Sequence, residues 1–317
     1  MSNSSVIVTG GAGFIGSHVV DALLAGGDDV VVVDDLSTGA AGRVADEATL
    51  ETVDITDGER LAAVVDAVRP RAIIHAAAQS SVTVSVSDPQ QDCRANVLGT
   101  LNVLEAAKRH GAPVVFTSTG GALYGNEAVI PTPEDAAPAP LSPYGASKWA
   151  AEAYLLTWRT ADDLPHAVCR LGNVYGPRQS PYGEAGVVAI FSHCLWRGEQ
   201  PSLYGYGKPT RDYVHVHDVA DALLRAVGTG GVFNIATGVE TTVAEIFEAL
   251  QAAAGTSVEP RLEPLRPREL ERSCMDPGRA QRELGWRATV ALEDGLISTY
   301  HALVREFEEQ EAAQRPR

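Results

Sequence analysis

The chain has 317 residues, which is more than one hydrophobic core usually supports, so we expect two lobes with a cleft between them. Its formal net charge of −16 argues against a nucleic-acid partner, because a phosphate backbone requires a basic face. No apolar run approaches the roughly 20 residues of a membrane span, and the N-terminus shows no secretion-type pattern. We therefore expect a cytoplasmic protein with no membrane contact.

The order of apolar segments along the chain predicts the fold class. Strand-like segments alternate with helical patterns, which is typical of a doubly wound parallel sheet in an α/β protein. The strands are expected at residues 5–9, 29–34, 50–53, 72–75, 113–118 and 166–171. The helices that cover both faces are expected at 17–25, 58–68, 95–110 and 144–158.

The alternation stops after Asn173. A strand at 232–235 is expected to return to the sheet, and helices at 243–254 and 292–307 are expected to form a smaller C-terminal α/β lobe. We assign residues 1–172 and about 212–237 to a Rossmann-like domain, and 173–211 and about 238–317 to a lobe that binds the substrate. The proline-rich segment 131–143 is expected to be a surface loop beside the cleft, and the charged tail 306–317 is expected to fray.

A glycine-rich turn follows the first expected strand. Residues 6–16 read V-I-V-T-G-G-A-G-F-I-G, with Gly10, Gly13 and Gly16 spaced three apart. Glycine at such a turn allows positive φ and lets a pyrophosphate approach the N–H groups of the next helix. The second strand ends at Asp34, where a dinucleotide fold places a carboxylate on the adenosine ribose. Since Asp34 and Asp35 would repel the extra phosphate of NADP and no arginine follows immediately, we expect NAD; a glycine turn without a ligand is the alternative.

A tyrosine and a lysine four residues apart carry the expected chemistry. Tyr144 and Lys148 would share one face of a helix. A nearby ammonium is expected to lower the pKa of the phenol, and Lys148 could also reach the nicotinamide ribose. Upstream, the fifth strand runs into the hydroxyl residues Thr117, Ser118 and Thr119 at the edge of the sheet where ligands bind in such folds.

At these residues the chain resembles a known family, the extended short-chain dehydrogenase/reductases, and within it the nucleotide-sugar 4-epimerases of the UDP-galactose 4-epimerase type. The resemblance covers nearly the whole chain. Its blocks are T-G-G-A-G-F-I-G-S-H at 9–18, H-A-A-A-Q at 75–79, N-V-L-G-T at 96–100, S-P-Y-G-A-S-K at 142–148, N-V-Y-G-P-R at 173–178 and R-D-Y-V-H-V at 211–216.

The resemblance implies a catalytic set and an NAD site. The catalytic residues would be Tyr144, Lys148 and Thr119, which lies twenty-five residues before the tyrosine; Ser118 and Thr117 are alternates for its hydroxyl. The cofactor-binding residues would be Gly10, Gly13, Phe14, Ile15, Gly16, Asp34, Asp35, Ser37, Thr38, Gly39, Asp54, Ile55, Ala76, Ala77, Ala78, Gln79, Asn96, Thr117, Tyr144, Lys148 and Leu171.

The resemblance also implies a UDP-sugar substrate. Two arginines, Arg211 and Arg266, would bind the diphosphate together with Asn173, and Tyr204 would stack on uracil. Glu269 stands where the family more often has Asp, and Arg268 replaces the usual Gly. The substrate-binding residues would be Ser80, Ser118, Thr119, Tyr144, Asn173, Arg178, Val187 and Val188 after the 183–186 segment, Ser202, Tyr204, Arg211, Arg266, Glu269 and Ser273.

The implied reaction is inversion at C4 of the sugar through a transient 4-keto intermediate. A 4,6-dehydratase or a decarboxylase would need an acidic side chain after Thr119, where Gly120 and Gly121 stand. A catalytically silent NAD-binding sensor would be expected to lack one of the three catalytic residues. The sugar stays open between a neutral hexose, the default, and a uronate, whose carboxylate Thr117, Ser118 and Arg178 could bind. An N-acetylhexosamine is the third possibility, because Ser273 is small.

The remaining histidines, cysteines and tryptophans have structural interpretations. His75 is expected to be a packed core histidine, and His215 and His217 lack a third ligand, so no metal site is expected. Asn96 is expected to bond the backbone near the cofactor. Cys93, Cys169, Cys194 and Cys274 lie far apart and are expected to be free thiols. Trp149 and Trp158 suggest core packing or a subunit contact, and the resemblance implies a homodimer formed through two helices per subunit.

Overall fold

The computed structural model describes residues 5–182, 186–266 and 269–314. The expectations for residues 183–185 and for Arg268 lie outside these ranges. The strands are β1 (Ser5–Thr9), β2 (Asp29–Asp34), β3 (Thr49–Thr52), β4 (Ala72–His75), β5 (Val114–Thr119), β6 (Ala167–Leu171), β7 (Asn173–Tyr175), β8 (Ser202–Tyr204), β9 (Thr210–Arg211), β10 (Tyr213–His215), β11 (Gly231–Ile235), β12 (Thr241–Thr242) and β13 (Arg261–Glu263).

The helices surround the main sheet and continue into the C-terminal part. They are α1 (Phe14–Ala25), α2 (Gly58–Val68), α3 (Val82–Ser87), α4 (Pro89–Cys93), α5 (Gly99–Lys108), α6 (Pro143–Asp162), α7 (Val187–Arg197), α8 (Val216–Ala226), α9 (Val243–Ala254), α10 (Gly278–Glu283) and α11 (Leu292–Gln314). A π-helical turn, Arg94–Leu98, joins α4 to α5.

The sheet confirms the predicted doubly wound α/β fold. Its seven strands are parallel in the order β11-β6-β5-β4-β1-β2-β3, so the strand order reverses between β1 and β4. One face is covered by α1 and α8, and the other by α2, α5 and α6. Central strands such as β1 and β4 are largely apolar because both of their faces are buried, whereas the edge strand β3 is mostly exposed. Ligands bind such sheets at the carboxyl ends of the strands beside the reversal point.

A third apolar cluster lies among α7, α9 and α11. It includes Phe191, Phe247 and Leu296, and it corresponds to the expected smaller lobe. The division into two domains stays a prediction. Ala280 and Trp286 pack with the sheet rather than with this cluster, although the predicted boundary assigns them to the smaller lobe.

Several boundaries differ from the sequence expectation. The third strand begins one residue earlier than predicted and the fifth strand one residue later, and the helix expected at 95–110 begins as the π-helical turn. The tail does not fray at residue 306, because α11 continues to Gln314. The 131–143 segment is not wholly a surface loop, since Thr132 is buried and forms a bridge with Met275.

The helix that carries Tyr144 begins at Pro143, one residue before the predicted start. Ser142 caps it by accepting the backbone N–H of Gly145 at 3.2 Å, and Pro143 occupies the first turn. A proline is tolerated there because its missing N–H has no helical partner. This start places Tyr144 in the first turn of α6, at the carboxyl edge of the sheet.

Candidate active site

A cavity of about 1400 Å³ lies at the carboxyl edge of the sheet. It extends from the glycine turn after β1 to the residues around β7 and β9. Sixteen of the predicted cofactor residues line it: Gly10, Gly13, Phe14, Ile15, Gly16, Asp34, Asp35, Ser37, Thr38, Asp54, Ile55, Ala76, Ala77, Ala78, Gln79 and Tyr144. The predicted substrate residues that line it are Ser80, Thr119, Tyr144, Asn173, Arg211 and Glu269.

In the glycine turn at one end of the cavity, Gly10 and Gly16 leave no room for a side chain. Gly10 has φ +72°, and a Cβ there would lie 2.5 Å from the backbone nitrogen of Ala77. A Cβ on Gly16 would lie 2.1 Å from the carbonyl oxygen of Gly10. The helix α1 starts directly after Gly13, which has no capping side chain. The first N–H groups of α1 are therefore suited to an anionic group in the cavity.

The acidic pair after β2 is held by backbone donors. The Asp34 carboxylate accepts the N–H groups of Ala12 at 3.0 Å and Leu36 at 2.9 Å, and Gly39 leaves no room for a Cβ beside it. Asp35 accepts the backbone N–H and the hydroxyl of Ser37. These bonds fix Asp34 at the cavity wall with lone pairs left for a hydroxyl partner.

Asn96 supports the cavity wall instead of lining it. It is buried, and its side-chain amide exchanges two 2.9 Å hydrogen bonds with the backbone of Gln79. The same amide also donates to Asp92 and to the hydroxyl of Ser147. The prediction that Asn96 bonds backbone near the cofactor site is therefore confirmed, whereas a direct cofactor contact stays a prediction.

The predicted catalytic residues lie together at the centre. Thr119 ends β5, and it lines the cavity together with Tyr144. Thr119 Oγ1 also accepts the backbone N–H of Ala122 at 3.2 Å. One turn further along α6, Lys148 is buried with its ammonium 4.4 Å from the centroid of the Phe116 ring.

Burial changes the acidity of both groups on α6. It raises the pKa of Tyr144 to about 12, although the hydrogen bond with Thr119 acts in the opposite direction. It also lowers the pKa of Lys148 to about 8, against the opposing attraction of Glu152 and Asp92. The expected lowering of the phenol pKa by Lys148 is thus not found in the protein itself, because desolvation of a phenolate outweighs the effect of its neighbours.

At the other end of the cavity, Arg211 faces Glu269. The guanidinium lies 3.8 Å from one carboxylate oxygen of Glu269 and donates to the carbonyl oxygen of Thr210 at 2.8 Å. Burial lowers the pKa of Arg211. The second carboxylate oxygen of Glu269 is buried and has no hydrogen-bond partner. A ligand with hydroxyl groups and an anionic group would satisfy both side chains.

Eight predicted substrate residues do not line the cavity, and six of them are Arg266, Tyr204, Ser202, Val187, Val188 and Ser273. Arg266 stacks on Tyr204, with its guanidinium carbon 3.7 Å from the ring centroid, and Ser202 lies on the same strand as Tyr204. The others are Val187 and Val188 at the start of α7, and Ser273, whose N–H donates to Thr210. Their roles stay predictions.

The other two predicted substrate residues, Ser118 and Arg178, have partners away from the cavity, and their substrate roles stay predictions. Ser118 is buried, and its hydroxyl donates to Glu152 at 2.5 Å instead of facing the cavity. Arg178 pairs with Asp21 on α1 at 2.7 Å, and its backbone N–H donates to Glu306. Neither side chain can bind a sugar carboxylate in this arrangement.

Thr117, Lys148, Leu171 and Gly39 also do not line the cavity. Thr117 and Leu171 are buried at the ends of their strands, and the Thr117 hydroxyl donates to the carbonyl oxygen of His75. Their positions under the wall make them supports of the predicted cofactor site.

Sequence reasoning missed residues that line the cavity. Gln179 has a buried carbonyl oxygen without a partner, while its nitrogen donates to Val174. It directly follows the N-V-Y-G-P-R block, so extending that block by one residue would have found it. Arg43 and Arg94 lie in turns whose sequences give no comparable signal.

The other histidines and the cysteines have structural roles. His75 is fully buried, and its ring bonds the hydroxyls of Thr9 at 2.7 Å and Thr100 at 3.0 Å, which confirms the core interpretation. Within residues 5–182, 186–266 and 269–314, no three His, Cys, Asp or Glu side chains are placed to hold a metal ion. All four cysteines are unpaired. In the same described ranges, no helix is long and apolar enough to cross a membrane.

Comparison with known proteins agrees with this geometry. The family model described as NAD dependent epimerase/dehydratase family matches residues 6–236. The chain belongs to this family. A UDP-glucose 4-epimerase of Mycolicibacterium smegmatis is 46% identical, over 92% of this chain and 96% of that protein.

Two solved structures of the same family are similar over almost their whole length. The UDP-glucose 4-epimerase of Thermotoga maritima, solved with UDP-glucose, has a TM-score of 0.93 and 43% identity, covering 96% of this chain and 99% of that chain. The UDP-glucose 4-epimerase of Thermus thermophilus, solved with NAD, has a TM-score of 0.89 and 42% identity, covering 94% and 98%. Family membership therefore extends beyond the sheet to the C-terminal residues.

Proposed function

We propose that this chain is an NAD-dependent UDP-sugar 4-epimerase that interconverts UDP-glucose and UDP-galactose through a 4-keto intermediate. The observation that carries the proposal is that Tyr144 and Thr119 line the same cavity as the glycine turn. The similar enzymes of known structure with NAD or UDP-glucose support the same assignment.

The cofactor end has the features that NAD requires. The glycine turn leaves space for a pyrophosphate at the start of α1, and Asp34 would accept the hydroxyls of the adenosine ribose. Asp54 and Ile55 would border the adenine, and Ala76 to Gln79 would border the rest of the cofactor. When bound, oxidised NAD supplies a reversible hydride acceptor and a positive ring.

The chain's own residues would move the proton. Tyr144 would accept the proton of the sugar 4-hydroxyl at its phenolate oxygen and return it in the reverse step, while Thr119 donates to the same sugar oxygen. Because burial raises the pKa of Tyr144 to about 12, positive charge near the ring is needed to favour the phenolate. Lys148, one turn along α6, is the protein's own source of that charge.

The nucleotide would bind at the end of the cavity that contains Arg211. We propose that Arg211 and Asn173 contact the diphosphate and that the partnerless oxygen of Glu269 accepts a ribose hydroxyl. Arg266 and Tyr204 would contact the diphosphate and the uracil. The sugar would have few contacts, which suits an intermediate that must turn before hydride returns.

Packing around Gly120 supports epimerisation over elimination. A Cβ on Gly120 would lie 1.7 Å from the sulfur of Met275, and one on Gly121 would lie 3.3 Å from the side-chain oxygen of Asn173. An acid side chain at position 120, which a dehydratase mechanism would use, would have to displace the buried Met275 side chain. The neutral hexose is favoured over the uronate, because Arg178 and Ser118 are engaged with Asp21 and Glu152.

The assay that tests the proposal uses the purified protein and four UDP-sugars in turn: UDP-galactose, UDP-glucuronate, UDP-N-acetylglucosamine and UDP-glucose. NMR of the product reads the configuration at C4. We expect UDP-galactose and UDP-glucose to reach one common equilibrium mixture. Absence of C4 inversion with all four, under conditions where NAD binds, would favour the silent sensor.

We further propose a cytoplasmic homodimer. Trp149 and Tyr154 on α6 and Leu98 before α5 are exposed apolar side chains, which is the pattern of an interface that uses these two helices. The unpaired cysteines suit a reducing compartment. A monomeric mass by light scattering at micromolar concentration would contradict the dimer.

A further inference from the structure

A buried ion pair lies behind the helix that carries the catalytic residues. Glu152 on α6 and Arg170 on β6 are 1% and 5% exposed. Arg170 donates through Nη2 to Glu152 Oε2 at 2.7 Å and through Nε to both carboxylate oxygens at 3.1 Å. A buried pair of this kind costs desolvation and is weak evidence for stability, so its presence calls for another explanation.

Glu152 lies on α6, which carries Tyr144, and its carboxylate bonds β5, which carries Thr119. Its Oε1 accepts the hydroxyl of Ser118 at 2.5 Å, and Ser118 directly precedes Thr119 on β5. On α6, Glu152 follows Lys148 by four residues, and Lys148 follows Tyr144 by four. Residues at this spacing share one face of a helix.

Lys148 needs negative charge close by to stay protonated. It is 3% exposed and packs over Phe116, where an isolated ammonium is poorly solvated. The ionisable groups that interact electrostatically with it are Glu152 on α6, Asp92 on α4 and His75 on β4, and Tyr144 lies one turn before it on the same helix. Burial keeps His75 neutral, since its pKa is lowered to about 3.

The two carboxylates near Lys148 have different partners. Asp92 accepts hydrogen bonds from the side-chain amides of Gln79 and Asn96, so its carboxylate is bonded to residues that form or support the wall of the predicted cofactor site. Glu152 is bonded to Arg170. The Nη1 atom of Arg170 also donates to the Tyr124 hydroxyl and to the carbonyl oxygen of Glu134, which fixes the guanidinium. The pair is thus fixed on every side.

We propose that Glu152 is a positioning residue for the epimerase reaction, whose carboxylate fixes Ser118 and the adjoining Thr119 against α6 and keeps the Lys148 ammonium charged. The proposal rests on the proposed function and adds a residue that touches neither sugar nor cofactor. Its role is transmitted through Lys148 and Ser118.

The test is the pH dependence of kcat in Glu152→Gln, with UDP-galactose as substrate and NAD saturating. An ammonium that loses a nearby anion has a lower pKa and gives up its proton at lower pH. The alkaline limb of the profile is therefore expected to move down by about one pH unit, which lowers kcat roughly tenfold above that limb. The KM for UDP-galactose is expected to stay within about twofold.

The matched control is Tyr124→Phe. It removes one hydrogen bond to Arg170 on the side away from Glu152 and keeps the Glu152 charge. A merely structural role for the network predicts similar losses in both variants and no shift of the profile. Our proposal predicts that Tyr124→Phe keeps the wild-type alkaline limb and a kcat within about twofold.

A second variant covers the case in which Glu152→Gln does not fold, because it leaves Arg170 buried without a counter-charge. The double variant E152Q/R170M removes both charges, and thermal unfolding checks that it folds. A wild-type alkaline limb and kcat in either folded variant would overturn the proposal. If the wild-type protein itself does not invert C4, the proposed function fails first; if it does and the variants behave like it, only the role of Glu152 fails.

Discussion

The two ends of the cavity are stabilised by different kinds of contact. At the glycine turn the backbone of β1 and α1 meets the backbone after β4, and the missing side chains of Gly10 and Gly16 are what allow it. At the other end the wall is formed by side chains such as Arg211 and Glu269, whose charged groups lie 3.8 Å apart. A change at the first end should therefore disturb the fold, whereas a change at the second should disturb ligand binding alone.

The largest expected effect separates these two cases. Gly16→Ala would place a Cβ 2.1 Å from the Gly10 carbonyl oxygen, and we expect a loss of about 3 kcal/mol or more in the free energy of unfolding together with loss of NAD binding. The control is Gly42→Ala, where a Cβ meets nothing within 4 Å. Chemical denaturation of both variants gives the comparison. A Gly16→Ala protein as stable as the control would contradict the backbone account.

Low pH should lower the free energy of unfolding through His75, which lies at the end of β4 beside the predicted cofactor site. Burial lowers its pKa to about 3, against about 6.5 in the unfolded chain. Between these values the unfolded state binds a proton that the folded state does not, so this part of the stability is complete above about pH 6.5 and is lost as the pH falls. We expect a decline of roughly a few kcal/mol from pH 7 to 4.

The check on that prediction is the slope of stability against pH. His75→Asn should be less stable at pH 7, because it loses bonds to Thr9 and Thr100, yet its stability should vary less with pH. His301→Gln, at an exposed position, should keep the wild-type slope. A His75 variant with an unchanged slope would rule out this histidine as the cause.

At the end of the cavity that contains Arg211, the substitution Arg211→Ala should weaken substrate binding without loss of the fold. A lost charge-assisted hydrogen bond to a diphosphate amounts to about 1.5–3 kcal/mol, so KM should rise roughly 10- to 100-fold while NAD affinity stays within about twofold. The exposed Arg225, which pairs with Asp221, is the control for removing one positive charge. Equal losses of UDP-sugar and NAD affinity would contradict the assignment of Arg211 to substrate binding alone.

The smallest effect is expected at Gln179. Its partnerless carbonyl oxygen is suited to a sugar hydroxyl, so Gln179→Ala should lose one hydrogen bond of about 1 kcal/mol. This loss corresponds to a roughly fivefold lower kcat/KM. Steady-state kinetics with UDP-galactose measures it. An unchanged kcat/KM would remove Gln179 from the substrate site.

The cofactor end could be predicted from sequence because it is made of contiguous signals. An apolar strand, three glycines and Asp34 are local features, and the backbone they form is the site itself. The placement of Tyr144 and Lys148 on one helix could be predicted for the same reason, since their spacing of four residues is a local feature, and their catalytic roles stay predictions. The strand and helix boundaries moved by only a few residues.

The other end depends on which partner each side chain has. Ser118 and Arg178 look available in the sequence, yet Glu152 and Asp21, far away along the chain, bind them. The same holds for acidity: the spacing of Tyr144 and Lys148 predicts a lowered phenol pKa, but burial, which no short motif encodes, raises it. Tertiary partners and desolvation are the part that local patterns do not contain.

The most direct test of the central claim is the turnover of Tyr144→Phe with UDP-galactose, measured beside its affinities for NAD and UDP. The variant loses only the hydroxyl that would exchange the proton of the sugar. We predict a fall in kcat of about 10²- to 10⁴-fold with both affinities within about twofold of wild type. A variant that turns over UDP-galactose at the wild-type rate would contradict the account.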